Sequence, residues 1–215
     1  MNRILEKIIM KIRYCFGGFF RNRKIRMMRE KLVNKDFSII SSNCCGAILA
    51  HDLGIRFNSP TVNCFFYPND FLKFCRNLQY YLNQEPEYQY DAEEGYPICL
   101  IGDIYVFAMH YKSFEEFKES WNRRKKRVNY NNLFIMMTDR DGFEEDMLGK
   151  LASIPYPKIL FSHKEYPSYD FVCYVKQFKR ESQVGDMFKY ADIFGNRYYE
   201  KVVDIVSWLN GGKNK

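Results

Sequence analysis

The sequence has no two cysteines in the Cys-x-x-Cys spacing, although seven of its 215 residues are cysteine. This absence excludes a zinc ribbon and a thioredoxin-type redox motif. Long apolar runs are absent too: the longest stretch without a charged residue or histidine, 37–50, has 14 residues, too few to cross a bilayer. Lys11 and Arg13 interrupt the apolar residues near the N-terminus, so we predict no secretory signal. We therefore expect a cytoplasmic protein whose thiols are reduced.

The composition of the chain is typical of a folded domain. Hydrophobic residues make up 47% of it and charged residues 27%, which excludes a disordered or collagen-like chain. Its length fits one ordinary domain, or one domain with an appendage, and is sufficient to bury a core without disulfides or metals.

The positive charge is concentrated at the N-terminus. Residues 1–35 carry 11 Lys and Arg against 2 Asp and Glu, a net charge of +9, whereas residues 36–215 carry 22 against 24, a net charge of −2. A body that binds nucleic acid would carry its basic residues on the folded face, so we expect no nucleic-acid partner. An arm with this charge is attracted instead to an anionic surface.

Apolar residues recur at helical spacing in this arm, at every fourth residue from Ile4 to Ile12, with basic residues between them. We predict that the Gly17–Gly18 pair ends this helix and that a second basic helix runs to about Asn34. Two interpretations stay open. The arm is either a peripheral anchor on the inner face of the cell membrane, or a helix packed on the body with its charges solvated.

From residue 37 onward, short apolar runs alternate with stretches of helical periodicity, a pattern typical of βα units. Strands are predicted at 37–41, 62–66, 96–101, 104–110, 133–138, 159–162 and 171–175, and helices at 44–53, 70–82, 113–128, 143–152 and 198–209. The predicted fold class is α/β, with a mixed, largely parallel sheet flanked by helices in three layers. We divide the chain into a basic amphipathic helical arm, 1–35, and a single α/β domain, 36–215.

The turn between the first strand and the first helix of the body is the first candidate site. It contains Ser42, Asn43, Cys44 and Gly46, residue types that suit a junction where helix N–H groups attract phosphate or carboxylate. The alternative is that Ser42 or Asn43 only caps the helix. Cys44 is also open to two interpretations, since a helix N-terminus activates a thiol whereas burial makes it inert.

Two acidic residues follow the apolar strand 133–138 and form the second candidate site. In an extended backbone Asp139 and Asp141 project to the same side, where two carboxylates can hold Mg²⁺ or Mn²⁺ and thereby neutralise a diphosphate. Such an Asp-x-Asp pair resembles the metal site of nucleotide-sugar transferases. Arg140 would pair with one of the carboxylates. The alternative is a turn that Asp139 caps and Asp141 helps to bend.

The remaining candidates are two histidines and polar residues close to them. His51 and His110 are the best available general bases, and each has the alternative of an ordinary structural histidine. Asp52 is not expected to face His51, because adjacent residues of a helix point apart, so it would act elsewhere, for example on the loop that contains Ser59. Asp103 is either a ligand-binding residue or a turn residue.

Seven segments, in their order and spacing, resemble an uncharacterised bacterial family whose members are commonly labelled exopolysaccharide- or capsule-biosynthesis proteins. The segments are SSNCCGAILAHDLG, NSPTVNCFF, DFLKF, YPICLIGDI, HYKSFEEFKESW, NLFIMMTDRDG and IPYPKILF. The resemblance covers about residues 36–211 and leaves the N-terminal 35 residues outside. The sequence departs from the family pattern at Cys45 and Ala47, where an aromatic residue and a second glycine are usual.

The resemblance implies an α/β fold and a place in surface-polysaccharide assembly, and it carries the candidate positions named above. The leading hypothesis is a transferase that acts on a nucleotide sugar, a sugar phosphate or a polysaccharide intermediate. The acidic pair would hold a metal or the donor, the 42–46 turn would contact a phosphate or a sugar hydroxyl, and the basic arm would keep the enzyme near lipid-linked acceptors. One alternative is a non-catalytic carbohydrate-binding or scaffold protein. Another is a hydrolase or acyltransferase that uses Cys44 or a serine with a histidine.

Overall fold

The computed structural model describes residues 3–212. In chain order the elements are α1 (Arg3–Lys31), β1 (Ser38–Ser41), α2 (Cys45–Leu53), α3 (Pro68–Arg76), α4 (Leu78–Asn83), β2 (Glu87–Asp91), β3 (Pro97–Ile101), β4 (Ile104–Phe107), α5 (Phe114–Lys125), β5 (Leu133–Thr138), α6 (Met147–Ala152), β6 (Lys158–Ser162), β7 (Val172–Tyr174) and α7 (Ile205–Leu209). Two short 3₁₀ turns, Lys176–Phe178 and Tyr198–Lys201, lie between β7 and α7. No helix within this part of the chain is both long and apolar enough to cross a membrane.

The strands form two sheets. Four of them pair in parallel in the order β1-β5-β6-β7, and the other three form an antiparallel sheet in the order β2-β3-β4. The α/β fold class is therefore confirmed. The antiparallel strands, however, make a sheet of their own instead of extending the parallel one.

The parallel sheet separates two apolar cores. Successive residues of a strand point to opposite faces, so Ile135 of β5 lies in one core while Phe134 and Met136 lie in the other. The first core also takes side chains from the antiparallel sheet and from α3, α4, α5 and α6. The second core takes side chains from α1, α2 and α7. This burial on both faces explains why the central strand β5 is apolar at five of its six positions.

The Gly17–Gly18 pair does not end a helix, because α1 continues unbroken from Arg3 to Lys31. Gly17 instead permits a close approach of the segment 190–195. A Cβ atom at Gly17 would lie 2.8 Å from Cδ2 of Tyr190, and one at Gly195 would lie 2.3 Å from the carbonyl oxygen of Gly17. Gly17 and Gly195 thus allow α1 and the segment 190–195 to pack closely, and Gly17 does not break the helix.

Other predicted boundaries also differ from the structure. The segment 62–66 contains a turn at Asn63, whose φ is 65°, and contributes only an isolated bridge between Phe65 and Phe107. Strand β2 was not predicted, because all five of its residues are exposed and only Tyr88 and Tyr90 alternate with polar residues in it. Asn77, with φ −126° and ψ 45°, divides the predicted helix 70–82 into α3 and α4.

A buried cluster of charged side chains fastens the second half of α1 to the body. Nη2 of Arg21 lies 2.6 Å from Oδ2 of Asp52 on α2, and its Nη1 lies 2.7 Å from Oε1 of Glu200. Lys24 and Arg197 complete the cluster, at 2.9 Å from Glu200 and 2.8 Å from Asp52 respectively. This half of the helix therefore packs on the body, as the second of the two interpretations expects, but the charge of Arg21 is buried among carboxylates instead of being solvated.

We predict that this cluster makes stability depend on acid pH. Burial raises the pKa of Glu200, but Arg21, the backbone N–H of Arg197 and Lys24 outweigh it, so that the pKa lies below its ordinary value. A carboxyl whose pKa is lowered by folding stabilises the protein above its unfolded-state pKa of about 4.3, and this contribution is lost as the pH falls through the folded-state pKa.

Glu200→Gln should therefore reduce the free energy of unfolding by about 3 kcal/mol at pH 7, because it leaves part of the cluster without a counter-charge. The difference between wild type and variant should shrink steadily as urea unfolding is repeated at pH values below the unfolded-state pKa of about 4.3. Glu30→Gln, on an exposed part of α1, serves as the control with little effect. A difference that stays constant down to pH 3 would contradict this account.

Candidate functional site

A cavity of about 440 Å³ lies at the carboxyl ends of β1 and β5, which are neighbouring parallel strands. Its walls come from the residues that follow these two strands, from the end of β4 and from the segment 185–188. Ligands of open α/β sheets bind at this edge, because the loops after parallel strands leave a crevice there. The volume is in the range of small-molecule sites.

The cavity brings together several of the predicted residues from separate parts of the chain. Asn43, Cys44, His110, Arg140 and Asp141 all line it. Asn43 joins the two strand ends, since its Oδ1 accepts a hydrogen bond from the N–H of Cys45 at 3.1 Å and its Nδ2 donates one to Oγ1 of Thr138 at 3.0 Å. Polar groups from three loops therefore face one space.

Arg140 is the cationic side chain of this lining. Within residues 3–212 its Nε is buried and has no hydrogen-bond acceptor, and the nearest carboxylate oxygen, Oδ2 of Asp141, is 3.8 Å away. A buried N–H without an acceptor costs free energy unless a ligand or water supplies one. The Arg140 side chain as a whole is 37% exposed and lines the cavity, so the part of it that an anion could contact is the part outside the buried Nε.

Apart from Thr138 and the carboxylate of Asp186, the rest of the lining is mainly aromatic or apolar. It includes Phe65, Tyr96, Met109 and Phe188, together with Ile48 of α2. Apolar walls with a few convergent polar groups are typical of sites for small organic ligands, in which the walls supply contact area and the polar groups fix the orientation.

The turn between β1 and α2 caps the helix with its own side chains. Oγ of Ser41 accepts a hydrogen bond from the N–H of Gly46 at 3.2 Å, in addition to the bond from Cys45 to Asn43. Two of the N–H groups predicted to attract a phosphate are therefore engaged within the protein. Gly46 is buried against β1, and a Cβ atom added to it would lie 2.8 Å from the Cβ atom of Ser41. Ser42 is buried and bonds through its backbone to Met136 and Phe66.

The two adjacent cysteines are not activated thiols. Burial raises the pKa of Cys44, and it raises the pKa of Cys45 to about 12. A thiol with a raised pKa is protonated at neutral pH and is a poor nucleophile. This argues against the hydrolase or acyltransferase hypothesis that relies on Cys44.

Asp139 is buried below the cavity and its carboxylate is fully engaged. Oδ2 accepts hydrogen bonds from Oγ of Ser162 at 2.9 Å and from the N–H of His163 at 2.7 Å, and it lies 2.5 Å from Nδ1 of His163. Oδ1 accepts a bond from the N–H of Val184 at 2.8 Å. Asp139 therefore joins the ends of β5 and β6 to the segment that leads into the cavity wall.

These contacts are unfavourable for the predicted metal site at Asp139 and Asp141. A cation at Asp139 would have to displace donors that already satisfy the carboxylate. The backbone at Asp141 is left-handed, with φ 61°, so the alternation expected of an extended chain does not apply. Within residues 3–212 no group of three or more His, Cys, Asp or Glu side chains is arranged to hold a metal. Only Asp141 of the pair lines the cavity.

Four other predicted residues lie outside the cavity. His51 is on the solvent side of α2 with 80% of its side chain exposed, and Asp52 is engaged in the Arg21 cluster. Ser59 is buried, and its Oγ lies 2.9 Å from Oγ1 of Thr61. Asp103, in the turn between β3 and β4, pairs with Lys73 and accepts a hydrogen bond from Tyr81. Asp52, Ser59 and Asp103 are therefore engaged in hydrogen bonds or ion pairs away from the cavity, and His51 is exposed to solvent.

His163 is a candidate that the sequence reasoning missed. It follows β6 as Asp139 follows β5, and only 12% of its side chain is exposed. Its position directly after a predicted strand could have indicated that it lies near Asp139, because the carboxyl ends of neighbouring parallel strands meet at one edge of the sheet. The register of β5 with β6, which brings Thr138 opposite Phe161, could not be read from the sequence.

Comparison with known proteins identifies the family. Residues 16–210 match the family described as "Domain of unknown function (DUF1919)". The chain belongs to this family. An uncharacterized protein of Haemophilus influenzae is 40% identical to it over 186 residues, which are 86% of this chain and 89% of that protein. The DUF1919 match begins at residue 16 and so includes the second half of α1, which the motif resemblance left outside.

We predict that the two aspartates of this DUF1919 protein differ sharply in their contribution to stability. Asp139→Asn should reduce the free energy of unfolding by about 2 to 3 kcal/mol, because an amide cannot accept all the hydrogen bonds of the buried carboxylate. Asp141→Asn, the matched control, should cost less than about 0.5 kcal/mol, since asparagine tolerates a left-handed backbone. Urea unfolding measures both, and equal effects would contradict the assignment of Asp139 as the buried anchor.

We also predict that Cys44 reacts slowly with iodoacetamide. Cys15 is exposed on α1 and provides an internal reference in the same molecule. At pH 7.5 mass spectrometry should find Cys15 modified well before Cys44, and the rate at Cys44 should still be rising above pH 9, the ordinary pKa of the thiol. Faster modification of Cys44 than of Cys15 would restore the nucleophile hypothesis.

Proposed function

We propose that this protein is a transferase of bacterial surface-polysaccharide biosynthesis that binds an activated sugar, as a nucleotide sugar or a sugar phosphate, in the cavity at the ends of β1 and β5. The observation that carries the proposal is Arg140, which lines the cavity with 37% of its side chain exposed and whose closest carboxylate contact among residues 3–212 is 3.8 Å, to Asp141. The setting in exopolysaccharide or capsule assembly is supported by the resemblance of the sequence motifs.

In this proposal Arg140 binds the phosphate of the donor. A guanidinium presents paired N–H groups that match the oxygens of a phosphate, and such bonds are stronger than those between neutral groups. The aromatic side chains of Phe65 and Tyr96 then contact the apolar faces of the sugar or base. Asn43 and Thr138 are within the lining and supply hydrogen bonds to hydroxyl groups.

The proposed reaction uses groups that line the same space. An acceptor hydroxyl attacks the anomeric carbon, its oxygen forms the new glycosidic bond, and the bond from that carbon to the phosphate oxygen breaks. The phosphate leaves with the electron pair and its charge is stabilised by Arg140. His110 or Asp141 accepts the proton of the attacking hydroxyl, since each lines the cavity and either type serves as a general base.

The proposed location is the cytoplasm, at the inner face of the cell membrane, where lipid-linked acceptors would be within reach. The net charge of +9 in residues 1–35 supports attachment to an anionic lipid surface. Helix α1 also carries exposed apolar side chains, including Phe16 at 59% and Phe19 at 81% exposure. An amphipathic helix of this kind binds in the membrane interface without spanning it.

A second candidate function is carbohydrate binding without turnover. Phe65, Tyr67 and Phe107 form an aromatic cluster, with ring centroids 5.1 to 5.4 Å apart, beside the cavity. Half of the Tyr67 side chain is exposed. Exposed rings of this kind favour contacts with sugar rings, and such a surface needs neither a base nor a leaving group.

The proposal is tested by calorimetric titration with UDP-, GDP- and CMP-linked sugars, the matching sugar 1-phosphates and the uncharged sugars, each with and without Mn²⁺. Arg140→Gln should weaken binding of the phosphorylated ligands about tenfold to a hundredfold and leave uncharged sugars unaffected. Because the carboxylate of Asp139 is engaged, we expect affinity to change little when Mn²⁺ is added. Arg76→Gln, an exposed arginine at the end of α3, is the matched control.

The turnover assay then separates the two functions. The rate at which the nucleotide is released from a bound donor should fall about a hundredfold in one of two variants, His110→Gln or Asp141→Asn. The variant with the lower rate identifies the general base, and its affinity for the donor should be unchanged. Binding that no acceptor converts to turnover would favour the carbohydrate-binding function. If Arg140→Gln and wild type bind every phosphorylated ligand equally, the proposed role of the cavity is wrong.

A further inference from the structure

Residues 8–19 of α1 have one outward face that is apolar. Ile8, Ile12, Phe16 and Phe19 follow one another at intervals of four, four and three residues and are 45 to 81% exposed. Residues at this spacing share one side of a helix. The opposite side contains Gly17 and the buried Arg21, which contact the body. The packing of α1 therefore points its apolar face into solvent.

A loop from a distant part of the chain extends this face. Ile193 and Phe194 are 45% and 58% exposed, and the ring of Phe194 lies 5.8 Å from that of Phe20. We name the seven side chains the apolar patch: Ile8, Ile12, Phe16, Phe19, Phe20, Ile193 and Phe194. Isolated exposed apolar residues are common, but a contiguous patch from two elements marks an interaction surface.

The loop is held on the helix by specific contacts. Tyr190 stacks on Tyr14 with ring centroids 4.8 Å apart, and Gly195 packs against the backbone of Gly17. Oδ1 of Asp192 accepts hydrogen bonds from the N–H groups of Phe194 and Asn196, at 3.0 and 3.1 Å. The exposed position of Ile193 and Phe194 is thus fixed by a folded turn.

The charges around the apolar patch identify its partner. Lys11, Arg23 and Arg26 are exposed on the same helix, and residues 1–35 have a net charge of +9. A second copy of the chain would bring two such charges together, which is repulsive at low ionic strength. An anionic lipid surface offers both an apolar interior for the rings and negative headgroups for the basic residues.

We infer that α1 and the loop 190–196 form one membrane-binding surface, in which Ile193 and Phe194 enter the lipid together with the phenylalanines of the helix. The inference rests on the membrane attachment in the proposed function and adds a second, C-terminal element to it. The segment 185–188 lines the cavity and continues directly into this loop. Binding at the membrane would therefore place the cavity wall a few residues from the lipid surface.

The experiment measures co-sedimentation of the full-length protein with vesicles of phosphatidylglycerol and phosphatidylethanolamine at low salt, with phosphatidylcholine vesicles as the neutral comparison. The double variant Ile193→Ser with Phe194→Ser should bind about tenfold more weakly, and so should Phe19→Ser. Val33→Ser is the matched control, since Val33 is 82% exposed but lies outside the apolar patch. Wild-type binding should fall as salt is added.

A second variant reports insertion directly. Phe194→Trp should show a blue shift of its fluorescence on addition of the anionic vesicles, against the unchanged emission of wild type, in which Trp121 and Trp208 are buried. If Phe19→Ser loses binding while the loop variants retain it and Phe194→Trp shows no shift, the loop has no part in the surface, and attachment through the helix alone stands.

Two further outcomes would also overturn the inference. If the wild-type protein does not bind anionic vesicles at low salt, then neither α1 alone nor α1 together with the loop attaches it to membranes. The proposal of ligand binding in the cavity is independent of that result. If light scattering instead shows a dimer that the loop variants dissociate, and vesicle binding is unchanged in them, the apolar patch is an interface between two copies of the chain.

Discussion

The carboxylate of Asp139 joins three stretches of chain that are far apart in the sequence. It bonds to Ser162 and His163 after β6 and to Val184, which begins the segment that closes the cavity. A buried charge must have partners, because its desolvation is costly without them. The loop positions at the sheet edge, and hence the relation of Arg140 and Asp141 to the rest of the cavity, follow from this requirement.

The buried Arg21 has the same effect on the other side of the parallel sheet. Its bonds to Asp52 and Glu200 fix the orientation of α1, and that orientation turns the apolar residues of the opposite face toward solvent. The DUF1919 match begins at residue 16, so the part of α1 that carries Arg21, and with it Phe16 and Phe19, lies within the matched region. Residues 3–15 of the helix lie outside it.

The cavity and the apolar patch are connected through one segment. Residues 185–188 line the cavity, and the loop 190–196 packs on α1, so the cavity and the proposed membrane-binding surface share the same stretch of backbone. The proposed function uses both features. In that proposal Arg140 binds the phosphate of a water-soluble donor, and α1 holds the protein at the membrane that carries the acceptor.

The sequence by itself determined the α/β class, most of the element positions and the polar turns after β1 and β5, because these depend on local periodicity and on residue types at strand ends. It also named Asn43, His110, Arg140 and Asp141 as candidate site residues, and all four line the cavity. Only the tertiary structure decided that Asp139 is buried, that Gly17 packs against Gly195 and that His163 contacts the carboxylate of Asp139. Those facts depend on strand register and on contacts between residues distant along the chain, which periodicity does not encode.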